Sequence, residues 1–216
     1  MEPDPLADLP PAQVTDAFHR LWYDTERWRE SQWMGTTALK CPFDLWVYQE
    51  LIFELEPDLI VETGTAFGGS ARYLATMLDL CGNGEIVTID VEAREDRPSH
   101  PRVTYLLGSS VADEVVAEVH RRAEGARTVM VLLDSDHRAE HVLAELRAYS
   151  PLVTPGSYLV VEDTNVIGRP VYPSFGPVPG EATEAFLAES DLFEVDRSKE
   201  KFLLTFNPGG WLKRKT

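Results

Sequence analysis

The chain has 216 residues, 44% of them hydrophobic and 10% aromatic, which supports one buried core and argues against global disorder. A net charge of −16 and a pI near 4.6 would repel phosphate backbones and anionic membranes, so neither is an expected partner. Cys41 and Cys81 lie outside any CxxC spacing, and no apolar run approaches the roughly 20 residues of a membrane span.

The first eleven residues are rich in Pro and Asp and read as a tail. They have neither a basic region nor an apolar stretch of the secretory kind, so the expected location is cytoplasmic. A helical pattern follows over residues 12–30, with Val14, Phe18, Leu21, Trp22 and Trp28 among charges. A second helix is expected from Pro42 or Phe43 to Leu55, because Pro tolerates the first helical turn. These pieces make an N-terminal tail and helical segment, residues 1–56, ahead of one α/β unit, residues 57–216.

From Pro57 onward short apolar runs alternate with helical patterns. Strands are predicted at 58–62, 85–90, 103–107, 128–133, 158–161, 192–195 and 201–206. Helices are predicted at 69–80, 111–123, 139–149 and 181–189. Several strands lack alternation, as expected when helices cover both faces of a parallel sheet. The expected fold is a doubly wound, mostly parallel, seven-stranded α/β sheet with ligands at the carboxyl ends of its strands.

Three features at strand ends carry candidate chemistry. The first runs through Glu62, Thr63, Gly64, Thr65, Ala66, Phe67, Gly68, Gly69 and Ser70. Ala66 departs from the dinucleotide GxGxxG, and the run resembles the looser E-x-G-x-x-x-G turn of methyltransferases that bind S-adenosylmethionine (SAM). A tight turn without a ligand has the same pattern. The second strand ends on Asp90, where a carboxylate can accept ribose hydroxyls or merely cap a helix. The third feature is a pair of ends, Asp134-Ser135-Asp136-His137 and Glu162-Asp163. Asp134, Glu162 and Asp163 are expected to converge, and three carboxylates at one rim require a cation. Oxygen donors without Cys point to Mg²⁺, with Mn²⁺ or Ca²⁺ as alternatives; helix capping is the plainer account. His137 would stand beside that cation as a general base, whereas His19, His100, His120 and His141 read as structural.

The stretches WMGTTALKCPFDLWVYQELI, PDLIVETGTAFGGSARYLA, VLLDSDHRAEHVLAEL and LVVEDTNVIGRPVYPSFGPVPGEA resemble the cephalosporin hydroxylase family. That family is similar to the sugar O-methyltransferases acting on macrocin and mycinamicin precursors, and the likeness covers about residues 33–206. It implies a Rossmann-like class I SAM methyltransferase fold, with Asp134, Glu162 and Asp163 as Mg²⁺ ligands and His137 as base. It also implies SAM at Glu62, Gly64, Thr65, Gly68, Gly69, Ser70, Asp90 and Asp134. The reaction expected is O-methylation of a small-molecule hydroxyl, a vicinal diol such as a sugar or natural-product intermediate, in antibiotic-type biosynthesis. An oxygenase component or a non-catalytic SAM-binding module are the alternatives. Residues 166–182 follow the third site and offer Tyr172 and Phe175 to a covering lid or a rigid loop. Trp22, Trp28 and Trp33 suggest a homo-oligomer interface.

Overall fold

In the computed structural model, which describes residues 9–166, 170–172 and 178–216, the uninterrupted apolar runs become the middle of one sheet. Strands β3 (Leu59–Thr63), β6 (Val129–Leu133) and β7 (Tyr158–Val161) are buried at every residue. Alternate side chains pass to opposite faces. Leu59, Val61, Val129, Val131 and Leu133 enter one core, while Ile60, Met130, Leu132 and Val160 enter the other. Each such side chain contributes about 1.5–3 kcal/mol by leaving water, which explains why neither face carries a polar stripe.

The chain begins with α1 (Pro11–Asp24), a hairpin of β1 (Gln32–Trp33) and β2 (Thr36–Thr37), and α2 (Pro42–Leu55). The expected helix over 12–30 stops at Asp24, and a 3₁₀ turn at Arg27–Glu30 follows. Thereafter come β3, α3 (Gly69–Cys81), β4 (Glu85–Asp90), β5 (Val103–Leu107), α4 (Asp113–Ala123), β6, α5 (Ala139–Tyr149), β7, α6 (Pro179–Glu189), β8 (Phe193–Val195) and β9 (Trp211–Arg214). The sheet order is β5-β4-β3-β6-β7-β9-β8, parallel except where β9 pairs antiparallel with β7 and β8. The expected doubly wound, seven-stranded, mostly parallel sheet is therefore the observed fold. From β3 the chain winds outward to β5 and then returns to β6, so the strand order reverses between β3 and β6, where such folds bind ligands.

One strand was misplaced by the sequence reading. Residues 201–206 are predicted as a strand, yet Leu203 is 74% exposed with φ of 68°. The neighbouring backbone is engaged elsewhere: Phe206 N–H donates to Asp44 at 2.8 Å, and Phe206 C=O accepts from Asn165 at 3.1 Å. The seventh strand is β9 instead, and Gly210 is required beside it because a Cβ would stand 2.2 Å from Val161 O. Among the described residues no helix is long and apolar enough to cross a membrane.

Candidate active site

Register brings the sequence candidates to one level. Thr63 pairs with Ile89 on one side and Leu133 on the other, and Leu133 pairs with Val161. The next residues, Gly64, Asp90, Asp134 and Glu162, thus follow four adjacent strand ends. The ladder continues into the turns, with Gly64 N–H on Ile89 O at 2.8 Å and Asp134 N–H on Thr63 O at 3.0 Å. Above them lies a cavity of about 630 Å³ lined by Gly64, Thr65, Ala66, Phe67, Gly69, Ser70, Asp90, Asp134, His137 and Asp163, among others.

The glycines of the first turn serve the protein's own packing. Gly64 has φ of 84°, and a Cβ there would lie 1.9 Å from Asp134 O; at Gly69 one would lie 2.1 Å from Thr37 O. Gly68 caps α3 in the left-handed conformation and does not line the cavity. Glu62 does not line it either. It is wholly buried, accepts from the Thr88 hydroxyl at 2.6 Å, and burial pushes its carboxyl up to about 7. Glu62 and Gly68, both expected to contact the ligand, thus lie behind the cavity lining and shape the turn from within.

Asp90 faces the cavity as expected. Its Oδ2 accepts from Ala66 N–H at 2.8 Å and pairs with Arg97 at 3.0 Å, while Oδ1 accepts from Glu92 N–H at 2.9 Å. A carboxylate offers about four acceptor positions and two take backbone N–H groups, so acceptor capacity is left for a hydroxyl.

At the other rim Asp134, His137 and Asp163 bring one ligating atom each to within 4.8 Å of one another. His137 Nε2 lies 3.4 Å from Asp134 Oδ1 and 3.4 Å from Asp163 Oδ2. Burial would lower the His137 pKa, but Asp163 and Asp134 outweigh it and raise it to about 9. Burial in turn raises Asp163 to about 6 against the opposing pull of His137. Asp163 also has a φ of 56°, a left-handed backbone held by its N–H on Asn207 Oδ1 at 3.1 Å. Oxygen donors this close, with strained backbone aiming one of them, fit a hard divalent ion.

Glu162 is not in that group. Its Oε1 accepts from Tyr48 Oη and stands 2.7 Å from Lys40 Nζ, and the side chain is buried. The structure thus gives Glu162 a cationic partner, Lys40, beside the expected metal site. Lys40 is the functional residue the sequence reading missed. Its ammonium is 3% exposed and lies 2.6 Å from Asp134 Oδ2. Burial would depress its pKa, yet Asp134 and Glu162 hold it above its ordinary value. The available signal was one lysine inside the otherwise uncharged run TTALKCPF, just before a proline-started helix. Such an isolated cation calls for a buried partner.

The remaining wall is aromatic. Tyr23, Trp28, Tyr172 and Phe206 line the cavity, with Tyr172 edge-on to Tyr23 at 5.0 Å. Trp28 Nε1 is buried without a partner among the described residues. Of the expected covering segment, residues 167–169 and 173–177, including Phe175, lie outside the described residues.

Known proteins resemble this chain over nearly its whole length. The family described as Rhamnosyl O-methyltransferase/CmcI matches residues 25–215. A rhamnosyl O-methyltransferase of Mycobacterium leprae is 37% identical over 212 residues, covering 95% of this chain and 93% of that protein. Its counterpart in Mycobacterium tuberculosis strain H37Rv is also 37% identical, with 95% and 86% covered. Among solved structures, CmcI with Mg and SAM superposes with a TM-score of 0.65 at 21% identity, covering 100% of this chain and 89% of that one.

Proposed function

This chain belongs to the rhamnosyl O-methyltransferase/CmcI family, and on that premise we propose that it methylates a hydroxyl of a sugar, using SAM and Mg²⁺. The observation that carries the mechanism is His137 poised between Asp134 and Asp163 on the wall of the cavity that Asp90 also lines. The name of the mycobacterial relatives supports a sugar acceptor, and the CmcI structure with Mg and SAM supports the two cofactors.

Bound at this site, SAM supplies a methyl on a sulfonium and Mg²⁺ supplies a Lewis acid beside the acceptor oxygen. Asp90 accepts a ribose hydroxyl, while the turn from Gly64 to Ser70 provides backbone and small side chains along the ligand. Asp134 and Asp163 would hold the ion, with Glu162 beside them on the Lys40 ammonium. His137 takes the hydroxyl proton as the acceptor oxygen attacks the methyl carbon. One C–O bond forms, the C–S bond breaks, and the sulfonium leaves as the neutral thioether of S-adenosylhomocysteine. With Asp134 and Asp163 compensated by a bound cation, the cause that raises the His137 pKa would be offset and the imidazole would be free to accept.

A neighbouring hydroxyl on the same ring would give the ion a second oxygen, which favours a vicinal diol. Self-association also belongs to this reading. The tryptophans first suggested for it pack within the chain: Trp33 against Tyr73, Trp22 against Phe43, and Trp28 against Tyr23. Exposed apolar residues lie nearby instead, with Leu21 63%, Trp46 59% and Phe53 74% exposed.

The test follows S-adenosylhomocysteine formation with a panel of rhamnosides and other deoxysugar glycosides. Turnover should need a sugar, stop in EDTA and return with Mg²⁺. Full turnover in EDTA would remove the metal from the reaction, and activity only on non-sugar catechols would replace the acceptor class.

A further inference from the structure

Asp134 divides its two oxygens between two cations. Oδ1 faces His137 and, with Asp163, the place of the ion; Oδ2 is taken by Lys40 at 2.6 Å. Lys40 reaches across to Glu162 Oε1 at 2.7 Å, and Tyr48 donates to the same oxygen. The ammonium therefore ties the ends of β6 and β7 together at the cavity wall. It arrives there because the segment after β2 is pressed against the start of α3, where Gly69 has no Cβ to hold it off Thr37.

The charges at this centre sum simply. Asp134, Glu162 and Asp163 contribute three negative charges and Lys40 one positive charge, so a divalent ion brings the total to zero. Without Lys40 the loaded centre would be negative by one. A negative centre attracts the ion more strongly but opposes loss of a proton from the acceptor hydroxyl, because the developing alkoxide meets an uncompensated carboxylate.

Resting on the metal-dependent reading above, we propose that Lys40 is a charge-setting and positioning residue of the metal centre. It orders Asp134 and Glu162 and keeps the loaded site electrically neutral, at the expense of metal affinity. The Lys40 ammonium is engaged by Asp134 and Glu162, and it acts through these two carboxylates.

The test measures Mg²⁺ affinity by calorimetry, apart from turnover, on the intact chain. Lys40→Met, close in volume but uncharged, should bind Mg²⁺ about tenfold more tightly than the wild type, as a lost like charge nearby predicts. Its kcat should fall about tenfold or more, with KM for the sugar little changed. Lys40→Arg should keep both properties near wild type. Glu162→Gln should bind Mg²⁺ more weakly, and Lys40→Met combined with Glu162→Gln should return the affinity to within about threefold of wild type.

A lysine that serves only as a prop predicts the opposite: weaker Mg²⁺ binding in Lys40→Met and additive losses in the double variant. Either result overturns the proposal. Should Lys40→Met fail to fold, the double variant compared with Glu162→Gln decides, since the proposal requires the double variant to bind more tightly. If wild-type protein binds no Mg²⁺, the metal reading itself fails; if it binds but the order differs, only the role of Lys40 is lost.

Discussion

At the residue scale the site is a set of carboxylates assigned different tasks by their neighbours. Asp134 is held below the usual carboxylate range: burial works against this, but Lys40 and His137 more than offset it. Asp44, wholly buried and close to Glu162, is instead pushed up to about 8 by burial. Asp90, at the opposite rim, accepts two backbone N–H groups and forms an ion pair with Arg97. Two substitutions separate the rims. His137→Ala should keep SAM and Mg²⁺ binding yet lose roughly 10²–10⁴-fold in rate, the usual contribution of a positioned base. Asp90→Ala should weaken SAM or S-adenosylhomocysteine binding by calorimetry while leaving Mg²⁺ affinity intact. A fully active His137→Ala enzyme leaves the proton without an acceptor, and unchanged nucleoside affinity takes Asp90 out of the site.

At the element scale α1 is the piece whose docking depends on pH. His19 is buried, stacks on Phe206 at 5.6 Å, and its Nε2 accepts from Asn165 Nδ2 at 2.9 Å. Burial lowers its pKa from 6.5 to about 4, with Asp16 opposing and Arg20 assisting. The imidazole is therefore neutral in the folded chain at pH values where the unfolded chain protonates it. Its contribution to stability is complete above pH 6.5 and drains away as pH falls toward 4, on the order of 3 kcal/mol in all. Denaturant unfolding at pH 7 and pH 4.5 should show a larger loss for wild type than for His19→Gln, which has no imidazole to protonate. Equal losses would remove His19 as the cause. Phe206 also lines the cavity, so melting of α1 in acid should loosen the acceptor wall.

For the whole molecule, residues 9–56 and the α/β sheet form the site jointly. Lys40 comes from the link between the hairpin and α2, Tyr48 from α2, and Tyr23 from α1. Removal of this segment should abolish acceptor binding, because Tyr23 and Trp28 would leave the cavity wall. The apolar residues left exposed on α1 and α2 lead to an assembly test on the full chain. Sedimentation at micromolar concentration should find a species larger than 24.3 kDa, and a monomer ends the idea of self-association.

The sequence alone determined the order of β3, α3, β4, β5, α4, β6, α5 and β7, because strands buried on both faces must be continuously apolar. It also placed Gly64, Asp90, Asp134, His137 and Asp163, since residues at strand ends are ordered by the chain itself. Tertiary structure decided what lies far apart in sequence and close in space. Lys40 meets Asp134 across 94 positions and Asp44 meets Phe206 across 162, contacts no local periodicity encodes. The last strand followed the same rule. Residues 201–206 are apolar enough for a strand, but the Phe206 backbone groups are taken by Asp44 and Asn165, and β9 took the sheet position between β7 and β8. Local pattern states which conformations a segment can adopt; competition for buried hydrogen-bond partners selects among them.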